Sequence, residues 1–437
     1  MTDSTSYQVY TINRPAWNPR HSPSVLIRRS AGQGMLYSQL QAVTSPIEFP
    51  ASEFESIEIS KIEEETLPTY KAKRYYPAQI GQIINNRYQI VGKLGYGTTS
   101  TVWLCRDMQL AQHVELKICI SEKTPNREIQ IYKHLNFIQS QSDHCGKQYY
   151  RSLYDSFEIT GPYGRHTCLV HQQLGLSLFQ VLDIRPKGTL TIELLKPPLR
   201  QILIGLDILH SVGIIHTDLQ PQNMNLEIHD PDVFSVFEQS EVLEPAPRKI
   251  LEDRIIYKSR RITMTPRLPI ITDFGEARFA DKENREDIMP DQYRAPEVIL
   301  QMKWDNKVDI WGIGMVFWDL VAGRTMFYGR DDKKLPDDSI HLAEMIAIMG
   351  PPPIEFLRRS EASSLFWDKD GKWGDYAPIP DISLESLAEK LEGENKEGFL
   401  SFLRTILKWL PEERPTAEEL VYHPWLMEGL KSRNSDN

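Results

Sequence analysis

The sequence predicts an α+β protein of two lobes, a small antiparallel β-sheet first and a mainly α-helical body after it. Three observations point there. From Tyr88 apolar residues alternate with polar ones, the period of half-buried strands, and the segments 88–96, 101–106 and 113–120 read as three short strands joined by turns. From Leu190 onward the apolar spacing becomes helical, with 194–213 and 308–322 reading as buried helices. The 437 residues are too many for one compact core and suit two lobes with extra segments. Strands followed by helices, rather than alternating with them, give the α+β class.

Along the chain, residues 1–66 lack a sustained period and are rich in Ser, Pro and Gln, which predicts a disordered tail. Asp3 is the only acid before Glu48, whereas Arg14, Arg20, Arg28 and Arg29 fall in that stretch. A flexible tail is the preferred reading, and a mitochondrial presequence is the alternative. The first lobe is expected over 67–174, the second over 175–430, and a short tail over 431–437. Pro125 and the spacing Ile129, Ile131, Tyr132, Leu135 predict a helix with Pro near its first turn.

The net charge of −10 argues against non-specific binding to nucleic acid and suits a basic partner. Cys105, Cys119, Cys145 and Cys168 form no CxxC pair and read as reduced thiols. No apolar run is long enough to span a bilayer, and no signal-peptide core is seen. These features predict a protein of the cytoplasm or nucleus.

Five motifs carry chemistry. In Gly95-Tyr96-Gly97-Thr98-Thr99-Ser100-Thr101-Val102, two glycines at a strand–turn–strand corner let backbone N–H groups approach phosphate oxygens. Val114-Glu115-Leu116-Lys117 places a lysine in an apolar strand, with Glu128 on the helix that follows. His216-Thr217-Asp218-Leu219-Gln220-Pro221-Gln222-Asn223 sets a carboxylate and an amide five residues apart, one to orient an attacking hydroxyl and one to hold a metal ion. Asp273-Phe274-Gly275 supplies a second metal-binding group, a carboxylate. Ala295-Pro296-Glu297 and Asp309-Ile310-Trp311-Gly312 complete the order.

Together these motifs resemble those of the eukaryotic protein kinases. Within that group the chain is similar to the serine/arginine-rich-protein (SR-protein) kinases of the CMGC group, with a long insert of fungal type. The finer resemblance lies in Tyr75-Tyr76-Pro77-Ala78-Gln79-Ile80-Gly81, in Ser100-Thr101-Val102-Trp103-Leu104-Cys105, in Thr217 before Asp218 and in His423-Pro424-Trp425-Leu426. It implies ATP and Mg²⁺ as cofactors and protein Ser/Thr hydroxyls as acceptors, with a basic, Arg/Ser-rich substrate. On this resemblance Asp218 is the catalytic acid–base, and Lys117, paired with Glu128, grips the α/β-phosphates. Asn223 and Asp273 would hold the metal. Leu94, Gly95, Gly97 and Val102 would cover the nucleotide. Adenine would bond the linker Gln172–Leu174, so Gln172 and Leu174 complete the binding set. Glu297 is expected to pair with Arg414, and Asp309 to cap the catalytic-loop backbone. Asp331, Asp332, Asp337 and Asp338 are candidates for docking a basic substrate.

Four positions depart from the pattern. Glu115 replaces a small Ala and Asn225 a Leu, so both adenine-facing positions are polar. Gln220 replaces the Lys that touches the transferred phosphate, and Pro290 replaces a Thr that bonds the catalytic Asp. These departures predict a weakened enzyme, the charge lost at Gln220 slowing transfer about 10²-fold. A non-catalytic pseudokinase scaffold is the alternative. A small-molecule phosphotransferase is disfavoured, because Ala295-Pro296-Glu297 and Asp309-Ile310-Trp311-Gly312 build a peptide-binding floor. Residues 227–268 interrupt the motifs with an acidic first half and a basic second half. They are expected either to form a solvated loop or to fold on the second lobe or dock a partner, with the halves pairing and the whole dispensable for folding.

Overall fold

The computed structural model describes residues 44–428 except 59, 122–126, 140, 142, 266, 375, 392 and 394. The Arg-rich start and the 431–437 tail lie outside the described residues, as does Pro125.

The first lobe is a six-stranded antiparallel sheet. Its strands are β1 (Ile83–Ile84), β2 (Tyr88–Tyr96), β3 (Ser100–Asp107), β4 (Gln112–Cys119), β5 (Leu153–Gly161) and β6 (Gly164–His171), in the order β1-β2-β3-β4-β6-β5. Helix α1 (Arg127–Gln139) follows β4 and buries Ile131, Tyr132 and Leu135. The register sets Leu104 opposite Glu115 and Val102 opposite Lys117, so strand alternation puts these four side chains on one face. Ile90, Trp103, Cys105, Val114 and Leu116 pack on the other.

The second lobe is helical. Helix α2 (Leu178–Asp183) follows the linker, and α3 (Ile192–Ser211) buries Leu195, Leu199, Ile202, Leu206 and Leu209, one stripe at helical spacing. Two short ladders sit on it: β7 (Ile214–Ile215) with β12 (Arg278–Phe279), and β8 (Met224–Leu226) with β11 (Pro269–Ile271). A short helix α5 (Pro296–Ile299) precedes α6 (Lys307–Ala322), which is buried on nearly every side. A Cβ on Gly314 of α6 would meet Ile406 at 3.0 Å, so the close approach of helix Lys396–Ile406 needs glycine there. Helix α7 is Asp338–Met349.

The insert corrects the expectation drawn from the sequence. It leaves at Leu226 and returns at Pro269, which face each other across the β8–β11 ladder. Between them it folds as α4 (Asp232–Leu243) and a hairpin of β9 (Arg248–Ile250) and β10 (Ile255–Tyr257), packed on the first lobe. Phe234, Phe237 and Ile262 form one cluster with Val91 and Leu104. A Cβ on Gly92 would meet the Phe237 ring at 2.8 Å, which accounts for a glycine inside β2. Tyr257 packs into the cluster on the opposite face of the sheet. The two halves do pair: Glu241 is buried and bonds Arg260 at 3.1 Å, with Arg248 at 3.8 Å.

The disordered tail expected over 1–66 is also corrected for its described part. Thr44 N donates to Met108 O at 3.0 Å, and Ile57 N donates to Arg248 O at 3.0 Å. The ammonium of Lys93, wholly buried, is met by Glu64 and by Glu63 at 3.6 Å. Lys93 carries its charge inside because these carboxylates accompany it. Residues from 44 onward and the insert therefore form one cap over the first sheet.

Candidate active site

The β2–β3 hairpin roofs a cleft between the lobes. A Cβ on Gly95 or Gly97 would meet nothing within 4 Å. Packing within the chain does not require these glycines, and the space over them suits close approach of a phosphate group. Tyr75 Oη donates to Gly97 O at 3.0 Å and to Thr98 O at 3.2 Å, tethering the hairpin tip.

Lys117 Nζ lies 2.8 Å from Glu128 Oε2 on α1 and 2.9 Å from Asp273 Oδ1. Burial disfavours its charge, but the two carboxylates outweigh burial and hold the ammonium well above its usual range. Desolvation within the cleft pushes the partly exposed Asp273 carboxyl up, and Lys117 pulls it below the ordinary value. Asp273 has φ 62°, a left-handed conformation that Asp tolerates better than most residues.

The catalytic loop is held from below by α6. Asp309 accepts from His216 N and Thr217 N, both at 2.8 Å, as expected from the sequence. Thr217 has φ 65°, a strained value for a β-branched residue, and Asp309 fixes it. Thr217 Oγ1 donates to Glu276 O at 2.7 Å, joining the loop to the segment after Asp273. Asn223 Nδ2 donates to Asp218 O and Oδ2 at 2.8 Å each, which leaves its Oδ1 as a metal donor atom. Gln220 Nε2 reaches both Asp218 oxygens at 2.9 and 3.0 Å. Burial raises the Asp218 carboxyl, and the bonds from Gln220 and Asn223 pull against that rise. The Glu297–Arg414 pair also forms as expected, at 2.6 and 2.7 Å, with both residues buried.

Among the described residues no group of three or more His, Cys, Asp or Glu could hold a metal alone. One carboxylate, Asp273, and the Asn223 amide oxygen fit Mg²⁺, which keeps several water or phosphate oxygens around it.

Both polar residues expected beside the base are paired. Glu115 Oε2 lies 2.5 Å from Arg151 Nη2. Asn225 Nδ2 donates to Gly175 O at 3.2 Å, and Thr272 Oγ1 donates to Asn225 Oδ1 at 3.0 Å. Arg151 was not foreseen, and the signal for it was Glu115 itself, since a buried carboxylate needs a cation. Gln172 departs from expectation. Leu94, Gly95, Gly97, Val102, Lys117 and Leu174 line the cleft with Asp218, Asn223 and Asp273, but Gln172 does not. Of the docking acids, Asp331 caps a local turn through Lys333 N and Leu335 N, and Asp337 caps α7. Asp332 and Asp338 stay exposed.

The protein kinase domain model matches residues 88–244 and 250–426. The chain belongs to the protein kinase family. An Aspergillus fumigatus protein described as a serine/threonine protein kinase is 42% identical over 373 residues, covering 84% of this kinase and 91% of its own length. The serine/threonine-protein kinase SRPK of Physarum polycephalum is 31% identical, covering 83% of this kinase and 91% of its own chain. The human dual specificity protein kinase CLK1 is 29% identical, with coverages of 79% and 67%. A crystal structure of a kinase domain superposes with a TM-score of 0.62 at 25% identity, covering 81% of this kinase and 99% of that chain. The kinase thus falls in the serine/threonine branch, and these relatives lend no support to a pseudokinase. Members of the family use ATP with Mg²⁺. Among the described residues no helix is long and apolar enough to cross a membrane.

Proposed function

We propose that this kinase transfers a phosphoryl group from a Mg²⁺-bound purine nucleoside triphosphate, ATP among them, to Ser or Thr of basic, Arg/Ser-rich proteins of the cytoplasm or nucleus. The observation that carries the reading is the bridge from Lys117 to Glu128 at 2.8 Å and to Asp273 at 2.9 Å, in the cleft that also holds Asp218. Lys117 grips the α/β-phosphates, and Glu128 fixes its ammonium. Asp273 and Asn223 would hold Mg²⁺, which when bound would neutralise charge on the transferring phosphoryl group. Asp218 orients the acceptor hydroxyl. Gln220 cannot neutralise phosphate charge as a lysine would, but its amide holds the Asp218 carboxylate in place. The expected cost is transfer about 10²-fold slower than with a cation there.

The test is radiolabelled ATP with an Arg-Ser repeat peptide and with an acidic Ser peptide, at low salt. The net charge of −10 and the exposed Asp332 and Asp338 favour the Arg-Ser peptide. Equal turnover of the two would remove the basic-substrate reading. No transfer to either, from ATP or from another purine nucleoside triphosphate, would remove the catalytic one.

The acid limb of kcat/KM should report Asp218. Activity falls as pH drops through its raised carboxyl, because the protonated form cannot accept from the hydroxyl. Gln220→Ala removes a bond that lowers this carboxyl, so the limb moves to higher pH. A limb unmoved in that variant would mean that Asp218 is not the group titrating.

Activity should not depend on phosphorylation of the segment 273–297, which contains no Ser or Thr. Its Tyr293 is buried and donates to Asp319 Oδ2 at 2.6 Å. The residue before Asp218 is Thr217, which has no charge to receive a phosphate. Phosphatase treatment of enzyme from the native source is expected to leave the rate unchanged. A large loss mapped to that segment would contradict this. A mitochondrial destination finds no support in the relatives.

A further inference from the structure

The inner end of the cleft is built unlike a site for adenine. Adenine offers a donor, its 6-amino group, and needs a free backbone carbonyl on the linker to accept it. One linker carbonyl, Gln172 O on the residue after β6, is already occupied. It accepts from Arg151 Nε at 2.9 Å and from Arg151 Nη2 at 2.8 Å. A carbonyl oxygen has two lone pairs, and both are taken. Arg151 lines the cleft and Gln172 does not, and the guanidinium takes up the Gln172 carbonyl.

Arg151 is not free to leave. Its side chain is 11% exposed and is held by Glu115 on the adjacent strand at 2.5 Å. Withdrawing it would strand a buried carboxylate without its cation. With Nε and Nη2 engaged by Gln172 and Glu115, Nη1 is the nitrogen through which Arg151, in the cleft wall, offers a base a donor where an acceptor would be needed. A 6-amino group against it sets donor against donor. A 6-oxo group, as in guanine or hypoxanthine, presents an acceptor to the same guanidinium and is matched. His171, opposite Glu115 in the β4–β6 register, supplies no alternative charge, because burial and then Arg151 and Lys117 hold its imidazole neutral.

We propose that Arg151 makes this base site select a purine carrying an oxo group at position 6, so that GTP or ITP is a better phosphoryl donor than ATP. The proposal rests on the phosphoryl-transfer reading above and names its nucleotide class. The chemistry is unchanged: the acceptor hydroxyl oxygen bonds the γ-phosphorus, the bond from that phosphorus to the β,γ-bridging oxygen breaks, the hydroxyl proton is released and the nucleoside diphosphate leaves. Glu115 is a positioning residue, acting through Arg151.

The experiment measures binding of the Mg²⁺ complexes of ATP, GTP and ITP to the full chain by calorimetry, and phosphate transfer from each γ-labelled nucleotide to an Arg-Ser peptide. ITP differs from GTP only by the 2-amino group, so it separates position 2 from the 6-oxo group and the N1–H that accompanies it. GTP and ITP are expected to bind about tenfold more tightly than ATP, the size of one mispaired buried donor. Glu115→Ala and Arg151→Val are combined in one variant, which removes the pair as a unit and leaves no lone buried charge. It is expected to reverse the preference toward ATP. Tighter binding of ATP than of ITP by the unaltered protein would overturn the proposal while leaving the kinase reading intact, whether or not the double variant folds. A preference for GTP that ITP does not share would also overturn it, since the 2-amino group would then be the feature read. Absence of binding and transfer with all three nucleotides would overturn the kinase reading itself.

Discussion

Deletion of residues 227–268, with a short Gly-Ser linker joining Leu226 to Pro269, is expected to give a protein that aggregates or unfolds without cooperativity. The ends would join easily, because Leu226 and Pro269 already face each other across a ladder. The failure comes from what the insert covers. Phe234 is 1% exposed and Phe237 4%, both against Val91 and Leu104 of the sheet. Tyr257, at 2% exposed, fills part of the opposite face. Truncating one buried Phe to Ala typically costs about 3–5 kcal/mol, and a domain has only about 5–15 kcal/mol in hand. Losing both rings, Tyr257 and Ile262 together exceeds that margin. The deletion would also remove Tyr257 O and the backbone N–H of Arg260, which bond Lys93 Nζ and Lys93 O at 3.3 and 2.9 Å. Phe237→Ala alone should lower the denaturant midpoint with the slope unchanged. A soluble deletion protein with a single sharp unfolding transition would show that the cap is dispensable.

The two-lobed class and the order of the motifs were legible in the sequence because each rests on local rules. Alternation marks β2 to β4 within a residue or two of their ends, and helical spacing does the same for α3 and α6. The cleft residues Lys117, Glu128, Asp218, Asn223 and Asp273 were legible for another reason: residue type and spacing together announce a job. The insert was not legible as a cap. Its acidic and basic halves read as a solvated loop, and its two buried phenylalanines, Phe234 and Phe237, are a single i, i+3 pair in a run too short to announce a partner. Gly92 recorded the contact from the other side, but a lone glycine in a strand has several readings. Arg151 was hidden more deeply. It lies at the foot of β5 and meets Glu115 from β4, a pairing that depends on the sheet order β4-β6-β5 and has no local signature.

Asp273→Asn is expected to lower phosphoryl transfer by about 10³-fold or more, with the fold retained. The carboxylate is the metal-binding group opposite Asn223, and an amide is a poor substitute for it beside phosphates. Little packing is lost, since the Asp273 side chain is 45% exposed. Lys117 keeps Glu128 at 2.8 Å and so remains a paired ammonium. Asn is preferred to Ala because the position has φ 62°. Ala there would add roughly 1–2 kcal/mol of left-handed backbone cost and confuse a loss of chemistry with a loss of stability, whereas Asn tolerates that conformation. Thermal unfolding without nucleotide should be nearly unchanged. The stabilisation by Mg²⁺-nucleotide should shrink, and the part that remains should no longer depend on Mg²⁺. Transfer at the unaltered rate in this variant, with an unchanged response to Mg²⁺, would show that Asp273 does not hold the metal and that its bond to Lys117 is its whole role.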